Sequence, residues 1–158
     1  MLQLYYNDVT ANDILYKFSA TVQFFLLNLS FTQFMPQLNF LLHHSSLMIS
    51  DLEASIRFYT EVIGLQQVER PDLGFPGAWF QLGENQQLHI LKLDNIDPTT
   101  GRPEHGGRDR HVALTVDNFD LVRKTLDKND VFYSMSKSGR QALFLRDLDA
   151  NAIEIIGR

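Results

Sequence analysis

The chain has 158 residues, of which 44% are hydrophobic and 21% are charged, and this composition is typical of one globular domain. Its net charge of −5, without a long basic run, excludes nucleic acid as an expected partner. It contains no cysteine, which excludes disulfides, thiolate metal sites and a cysteine nucleophile. Any metal must therefore be held by His, Asp or Glu, and the composition fits a cytoplasmic protein.

Residues 1–38 differ from the rest, and we interpret them as an N-terminal extension to a domain at 39–158. From Phe18 to Leu42 no side chain is charged, and Phe and Leu are frequent. A membrane-spanning helix needs about 20 mostly apolar residues, whereas Gln, Asn and Pro interrupt this run. The alternatives are a membrane or signal segment, a segment packed loosely on the domain, and a translation start at Met35. We expect no membrane association, and residues 1–34 to be dispensable.

The first group of predicted elements begins with a strand at Leu41–Ile49. The next four residues, "SDLE", resemble a capping box, in which Ser50 caps a helix and Glu53 reaches back to it. An apolar stripe at helical spacing follows and ends before Gly64, a residue favoured after a helix. Three strands are then predicted, in "LQQVER", "AWFQLG" and "QQLHILKL", the last two joined by a tight turn.

A loop at residues 94–110 separates this group from a second group with the same order. The strand "HVALTV" precedes a helix that Asp117 is expected to cap, and the strands "VFYSMS", "ALFLRD" and "AIEIIG" follow. His44 and His111 each lie six residues before their predicted cap. The order strand-helix-strand-strand-strand thus occurs twice, which predicts an α+β fold of two βαβββ modules. Their expected limits are 39–97 and 109–157.

Each module carries two potential metal ligands at equivalent positions. His44 is followed after 45 residues by His89, and His111 is followed after 43 residues by Glu154. Alternation of apolar residues along the strands predicts that these side chains face away from the helices. One strand histidine alone is more often a hydrogen-bonded core residue, and Glu154 alone could pair with an arginine. The repeated pattern favours a divalent metal site.

The two remaining nearby histidines are expected to lie outside this site. His43 precedes His44 directly, so strand geometry predicts that its side chain points to the opposite face. His105 lies in the loop rich in Gly and Pro and is expected to be solvated. A role for His105 above the site, on a lid, is the alternative.

Four stretches resemble the vicinal oxygen chelate superfamily, which includes glyoxalase I, fosfomycin and bleomycin resistance proteins and extradiol dioxygenases. They read "LHHSSLMISDLEASIRFYTEVIGL", "GAWFQLGENQQLHIL", "RHVALTVDNFD" and "LFLRDLDANAIEI". The resemblance implies two βαβββ modules in a mixed sheet curled round one divalent metal ion, Fe, Mn, Co, Ni or Zn. The implied ligands are His44, His89, His111 and Glu154. It also implies a homodimer and a small oxygenated substrate chelated by the metal, with Glu154 or a metal-bound water moving protons.

Several positions depart from the family pattern. His89 stands where bacterial glyoxalase I has Glu, and Met48 and Leu93 stand where that enzyme contacts glutathione through Arg and Asn. These differences argue against lactoylglutathione lyase activity. The turn "DLDAN" has Leu148 and Ala150 in place of Pro and Gly, and Ala is costly there if residue 150 needs a positive φ.

Two functions of different class remain open at this point. The first is a metal-dependent lyase, isomerase or dioxygenase, and the His44, His111 and Glu154 set matches the two-histidine, one-glutamate triad of extradiol dioxygenases. The second is a metal-independent small-molecule-binding or resistance protein of the same fold. The four filled ligand positions favour the enzyme.

Overall fold

The structure is a computed structural model that describes residues 38–158. Its compact unit is Leu42–Arg158. The membrane, signal, packing and Met35 alternatives for the N-terminal extension fall on residues 1–37, which lie outside the described part. Within the described part, no helix is long and apolar enough to cross a membrane.

The first module forms a four-stranded mixed sheet covered by one short helix. Its elements are β1 (His44–Met48), α1 (Leu52–Arg57), which continues as a π-helical turn (Phe58–Val62), β2 (Gln66–Val68), β3 (Gly77–Leu82) and β4 (Gln86–Leu91). The strand order is β1-β4-β3-β2. β1 runs parallel to β4, and the other neighbouring strands are antiparallel.

The second module repeats this arrangement. After a 3₁₀ turn (Gly106–Arg108) its elements are β5 (His111–Val116), α2 (Phe119–Lys128), β6 (Tyr133–Met135), β7 (Ala142–Arg146) and β8 (Ala152–Gly157). The strand order β5-β8-β7-β6, with β5 parallel to β8, is the order of the first sheet. The predicted α+β fold with two βαβββ modules is confirmed, as two four-stranded sheets that do not close into a barrel.

Both helix caps lie one residue later than the sequence predicts. The Asp51 carboxylate accepts a 3.0 Å hydrogen bond from the backbone N–H of Ala54, and Asn118 accepts one of the same length from Leu121. The predicted caps Ser50 and Asp117 are therefore wrong. The N–H of Ser50 instead donates to the Asp149 carboxylate, 3.0 Å away, because the end of β1 meets the β7–β8 turn there.

The alternation of side chains along the strands places the core on the helix side of each sheet. Phe80 and Leu88 are completely buried there, and so are Ile49 and Ile153. Burying a large apolar side chain contributes about 1.5–3 kcal/mol, which fixes the face that each strand presents. The residues that alternate with these core residues along each strand, such as Glu154 between Ile153 and Ile155, are consequently directed to the opposite face.

The β7–β8 turn joins the two modules. Asp147 accepts a 2.7 Å hydrogen bond from the Tyr59 hydroxyl, and the Asn151 amide donates to the Met48 carbonyl at 2.9 Å. Ala150 in this turn has φ +63°, so the cost that a positive φ imposes on alanine applies at this position. The turn leads directly into β8, which carries Glu154, so it also helps to position the candidate site.

Candidate functional site

The second module brings His111 and Glu154 together. Residue 113 of β5 is opposite residue 154 of β8, and the His111 Nε2 atom lies 3.4 Å from Glu154 Oε2. The other carboxylate oxygen is 3.3 Å from Nη2 of Arg140. Glu154 is only 4% exposed. A buried carboxylate is costly without a positive partner, and Arg140 supplies one at Oε1, so the oxygen that faces His111 is the one that remains for a metal ion.

A loop anchor orients the His111 ring. Its Nδ1 lies 2.8 Å from the Asp109 carbonyl oxygen, so Nδ1–H donates to that carbonyl and Nε2 is the ring nitrogen directed towards Glu154. Asp109 is held in turn by Arg102, at 2.8 and 2.9 Å, and by Arg146 at 2.9 Å. The hydrogen bond from Arg102 is the main cause that holds the pKa of Asp109 well below its usual range. A carbonyl that fixes the tautomer is a common support for a metal-binding histidine.

The first module also brings its two candidate ligands together, but in a different geometry. The His44 and His89 rings are stacked, with centroids 4.3 Å apart and planes 14° apart. The Trp79 indole stacks on the other side of His89, also at 4.3 Å. The lone pairs of an imidazole lie in the plane of its ring, so two parallel stacked rings do not point at one ion. At least one of these side chains must rotate before both can bind the same metal.

His89 is buried and uncharged at neutral pH. Burial is the main cause that lowers the pKa of His89 to about 4, and the neighbouring His44, His43 and Arg70 lower it further. Its Nε2 lies 2.9 Å from the Gln87 side-chain oxygen. A neutral imidazole is the form that binds a metal.

His43 does not lie on the opposite face from His44. Their Nδ1 atoms are 2.8 Å apart, and the rings meet edge to face. The expected separation of the two rings is therefore wrong. His43 precedes the first residue of β1, so the alternation of the strand does not fix its side chain. The contact between the two rings does not test which of them binds metal, and we still predict that His44 does and His43 does not.

The two pairs do not form one cluster in a single chain. Within residues 38–158, no three His, Asp or Glu side chains lie close enough together to hold one metal ion. The donor types still fit a divalent first-row metal, since they combine imidazole nitrogens with a buried carboxylate. The 3.4 Å between His111 and Glu154 is close to the spacing of about 3 Å between neighbouring ligands on bonds of 2.0–2.2 Å.

A groove of about 790 Å³ lies in the second module, and although neither His111 nor Glu154 lines it, two of its lining residues contact them. Arg140 and Phe144 line it, and both touch the candidate pair, Arg140 through Glu154 and Phe144 through an edge-to-face contact with His111. His105 also lines this groove and packs on Phe144, as a half-buried side chain rather than a solvated one. This volume is in the range of small-molecule sites.

Two side chains that contact the candidate ligands, Trp79 and Arg140, were not predicted from the sequence. Trp79 was predictable in principle, because counting back from the tight turn places it opposite His89 in the β3–β4 hairpin. Arg140 lies in the loop before β7, 14 residues from Glu154, and no local pattern links the two.

Comparison with known proteins gives one family. The family model described as Glyoxalase/Bleomycin resistance protein/Dioxygenase superfamily matches residues 41–155. The chain is 28% identical to "Glyoxylase I 4" of Arabidopsis thaliana, over 72% of this chain and 68% of that protein. It is 26% identical to mitochondrial methylmalonyl-CoA epimerase of Mus musculus, over 71% of this chain and 68% of that protein.

Solved structures agree on the fold. A protein of the glyoxalase family from Bacillus anthracis superposes with a TM-score of 0.64 at 22% sequence identity, covering 78% of this chain and 99% of its own. At this level of identity the likeness concerns the fold.

Proposed function

This chain belongs to the Glyoxalase/Bleomycin resistance protein/Dioxygenase superfamily, and from that premise we propose that it is a metal-dependent enzyme acting on a small oxygenated substrate. The observation that carries the proposal is the His111–Glu154 pair, in which Nε2 of an oriented imidazole lies 3.4 Å from a buried carboxylate. The reaction is a lyase, isomerase or dioxygenase reaction, in which the substrate is chelated through neighbouring oxygens.

The proposed ligands are His44, His89, His111 and Glu154, with one divalent ion, Fe, Mn, Co, Ni or Zn. When bound, the ion supplies Lewis-acid polarisation of the substrate oxygens. Glu154 has two oxygens, so one can bind the ion while the other accepts a proton from the substrate. Arg140 lies 3.3 Å from the second oxygen and also lines the groove.

We further propose that the working unit is a homodimer with shared sites. In one chain the His44–His89 pair and the His111–Glu154 pair do not form a cluster among residues 38–158. A second copy, related by a two-fold axis, would place the first pair of one subunit against the second pair of the other. β1 and β5, which carry the first ligand of each pair, are both edge strands of the described sheets, and edge strands can pair with another chain.

The alternative is a metal-independent binding protein of the same fold. Two features favour it. The His44 and His89 rings are stacked rather than convergent, and Arg140 already balances the charge of Glu154. In this case the groove lined by Arg140 and Phe144 would hold the small molecule, and no proton would be transferred.

Metal analysis of the purified full chain separates the two functions. After loading with each of the five metals and removal of excess ion, elemental analysis should give close to one ion per proposed site. The double variant His111→Ala/Glu154→Ala should lose the ion, while Glu84→Ala, in the exposed β3–β4 turn, should keep it. Circular dichroism of each variant checks that the fold is kept. Full metal binding by the folded double variant would overturn the enzyme proposal.

A further inference from the structure

Arg70 lies on the same face of the first sheet as Trp79 and His89. Val68 is opposite Trp79 in the β2–β3 pairing, and continuing that register by two residues places Arg70 opposite Gly77. The side chain lies across this glycine, since a Cβ atom on Gly77 would be 3.2 Å from Arg70 Nε. The same Cβ would be 2.5 Å from the Ile90 carbonyl oxygen. The glycine of the "GAW" stretch therefore leaves the space that the guanidinium occupies.

The Arg70 guanidinium lacks a counter-ion within the described residues. Its Nε and Nη2 atoms are buried and have no hydrogen-bond acceptor there. Its Nη1 reaches only the Pro71 carbonyl oxygen, at 3.4 Å, and no carboxylate of residues 38–158 forms an ion pair with it. An arginine keeps its charge at any physiological pH. Arg70 is half-buried as a residue, and its two buried N–H groups cost free energy for as long as they have no acceptor, which an anion would supply.

The free edge has the geometry of a carboxylate-binding edge. The Nε–H and one Nη2–H of a guanidinium are parallel and bind the two oxygens of a carboxylate side by side. Arg102 in this chain uses these two atoms for Asp109, at 2.8 and 2.9 Å. In Arg70 the same edge is buried and free, and the Phe75 ring covers one face of the guanidinium at 4.8 Å from its central carbon.

We propose that Arg70 is an anion-binding residue that holds a carboxylate group of the substrate beside His89. Its place as a substrate anchor rests on the proposed function, whereas anion binding by Arg70 stands on the free guanidinium edge alone. The substrate class is then a small carboxylate with a neighbouring oxygen, one end held by Arg70 and the other at the four candidate ligands.

The test uses the metal-free full chain, so that it does not depend on metal binding. Trp79 is the only tryptophan, and it stacks on His89, so its fluorescence reports events at this face. Propionate, the uncharged propionamide and inorganic phosphate are titrated, with calorimetry as the second readout. Wild type is compared with Arg70→Gln, Arg70→Lys and the exposed control Arg57→Gln.

Propionate should bind wild type and Arg57→Gln in the millimolar range, and propionamide should not bind. Arg70→Gln should weaken propionate binding at least about tenfold, and Arg70→Lys less, because lysine keeps the charge without the paired donors. Equal binding of propionate by Arg70→Gln and wild type would overturn the proposal, as would no binding of propionate to wild type. Tighter binding of phosphate than of propionate would overturn the carboxylate assignment and identify Arg70 as a phosphate-binding residue. If wild type binds propionate but the separate metal analysis finds no bound ion, the proposed enzyme is refuted and the Arg70 site stands.

Discussion

Tyr59 and Asp147, which belong to different modules, are joined by a 2.7 Å hydrogen bond in the interior of the domain. Burial raises the pKa of Asp147 above its ordinary value, and burial, with the nearby Asp147 as the next cause, raises the pKa of the Tyr59 hydroxyl. A carboxyl group whose pKa is raised by folding stabilises the fold at low pH, and this contribution is lost as the pH rises through the folded-state pKa.

Removing the hydrogen bond between Tyr59 and Asp147 should lower the free energy of unfolding more at neutral pH than in acid. The bond favours the ionised form of Asp147, so Tyr59→Phe raises the pKa of the carboxyl group further. We expect a loss of about 1–3 kcal/mol in the free energy of unfolding at pH 7 and a smaller loss near pH 4. Urea denaturation at both pH values measures it. Tyr133→Phe is the control, because its hydroxyl bonds to Asp127 at the surface, and a loss within about 0.5 kcal/mol is expected. The same loss at both pH values would contradict the role of Asp147.

The positive φ of Ala150 predicts a stabilising substitution. An alanine at φ +63° is strained by its Cβ atom, whereas glycine adopts this conformation freely. After subtraction of the extra backbone entropy of glycine in the unfolded chain, Ala150→Gly should raise the free energy of unfolding by about 0.5–1 kcal/mol. Thermal and urea denaturation measure the change. Ala54→Gly in helix α1 should instead lower stability by about 1 kcal/mol. Destabilisation by Ala150→Gly would mean that the turn does not strain this residue.

Single-residue variants separate the two adjacent histidines. His44→Ala and His89→Ala should lose the metal in titrations followed by calorimetry. His43→Ala should keep it, with at most the weakening of about 10–100-fold that is typical when a neighbour of a ligand is removed, because His43 contacts the His44 ring. A larger loss in His43→Ala than in His44→Ala would assign the ligand to His43.

Mixing two inactive variants tests the shared site. His44→Ala/His89→Ala and His111→Ala/Glu154→Ala each disrupt one pair. If sites form between subunits, a refolded equal mixture contains mixed dimers with one intact site, and metal binding should recover to about one quarter of wild type. Light scattering at micromolar concentration should give a dimer mass. A monomer mass would contradict the dimer, and a dimer without recovery would place each site within one chain.

Turnover of the glutathione–methylglyoxal hemithioacetal should be negligible. Met48 and Leu93 are apolar and cannot pair with the charged and polar groups of glutathione, and His89 replaces a carboxylate in the proposed ligand set. Protein loaded with Ni, Co, Zn, Mn or Fe is assayed for product formation, with a glyoxalase I preparation as the positive control. Robust turnover with any of these metals would show that this chain accepts glutathione without those contacts.

Local patterns in the sequence were sufficient to predict the doubled βαβββ order and the face of most strand residues. Side-chain alternation in a strand is a property of neighbouring residues, so Ile153 and Ile155 indicate the direction of Glu154 without knowledge of the fold. The caps were predicted one residue early because Ser50 and Asp51 are both good cap residues, and the choice depends on the β7–β8 turn that holds Ser50.

The tertiary structure decided which side chains meet. The contacts of Arg140 with Glu154, of Trp79 with His89 and of Arg70 with Gly77 depend on strand register and loop paths, which join residues without a shared local period. The sequence marked four potential ligands at equivalent positions of two modules. Only the folded chain shows that they form two separate pairs, because the distance between pairs depends on how whole sheets pack, whereas the spacing within a pair follows from one parallel pairing of strands.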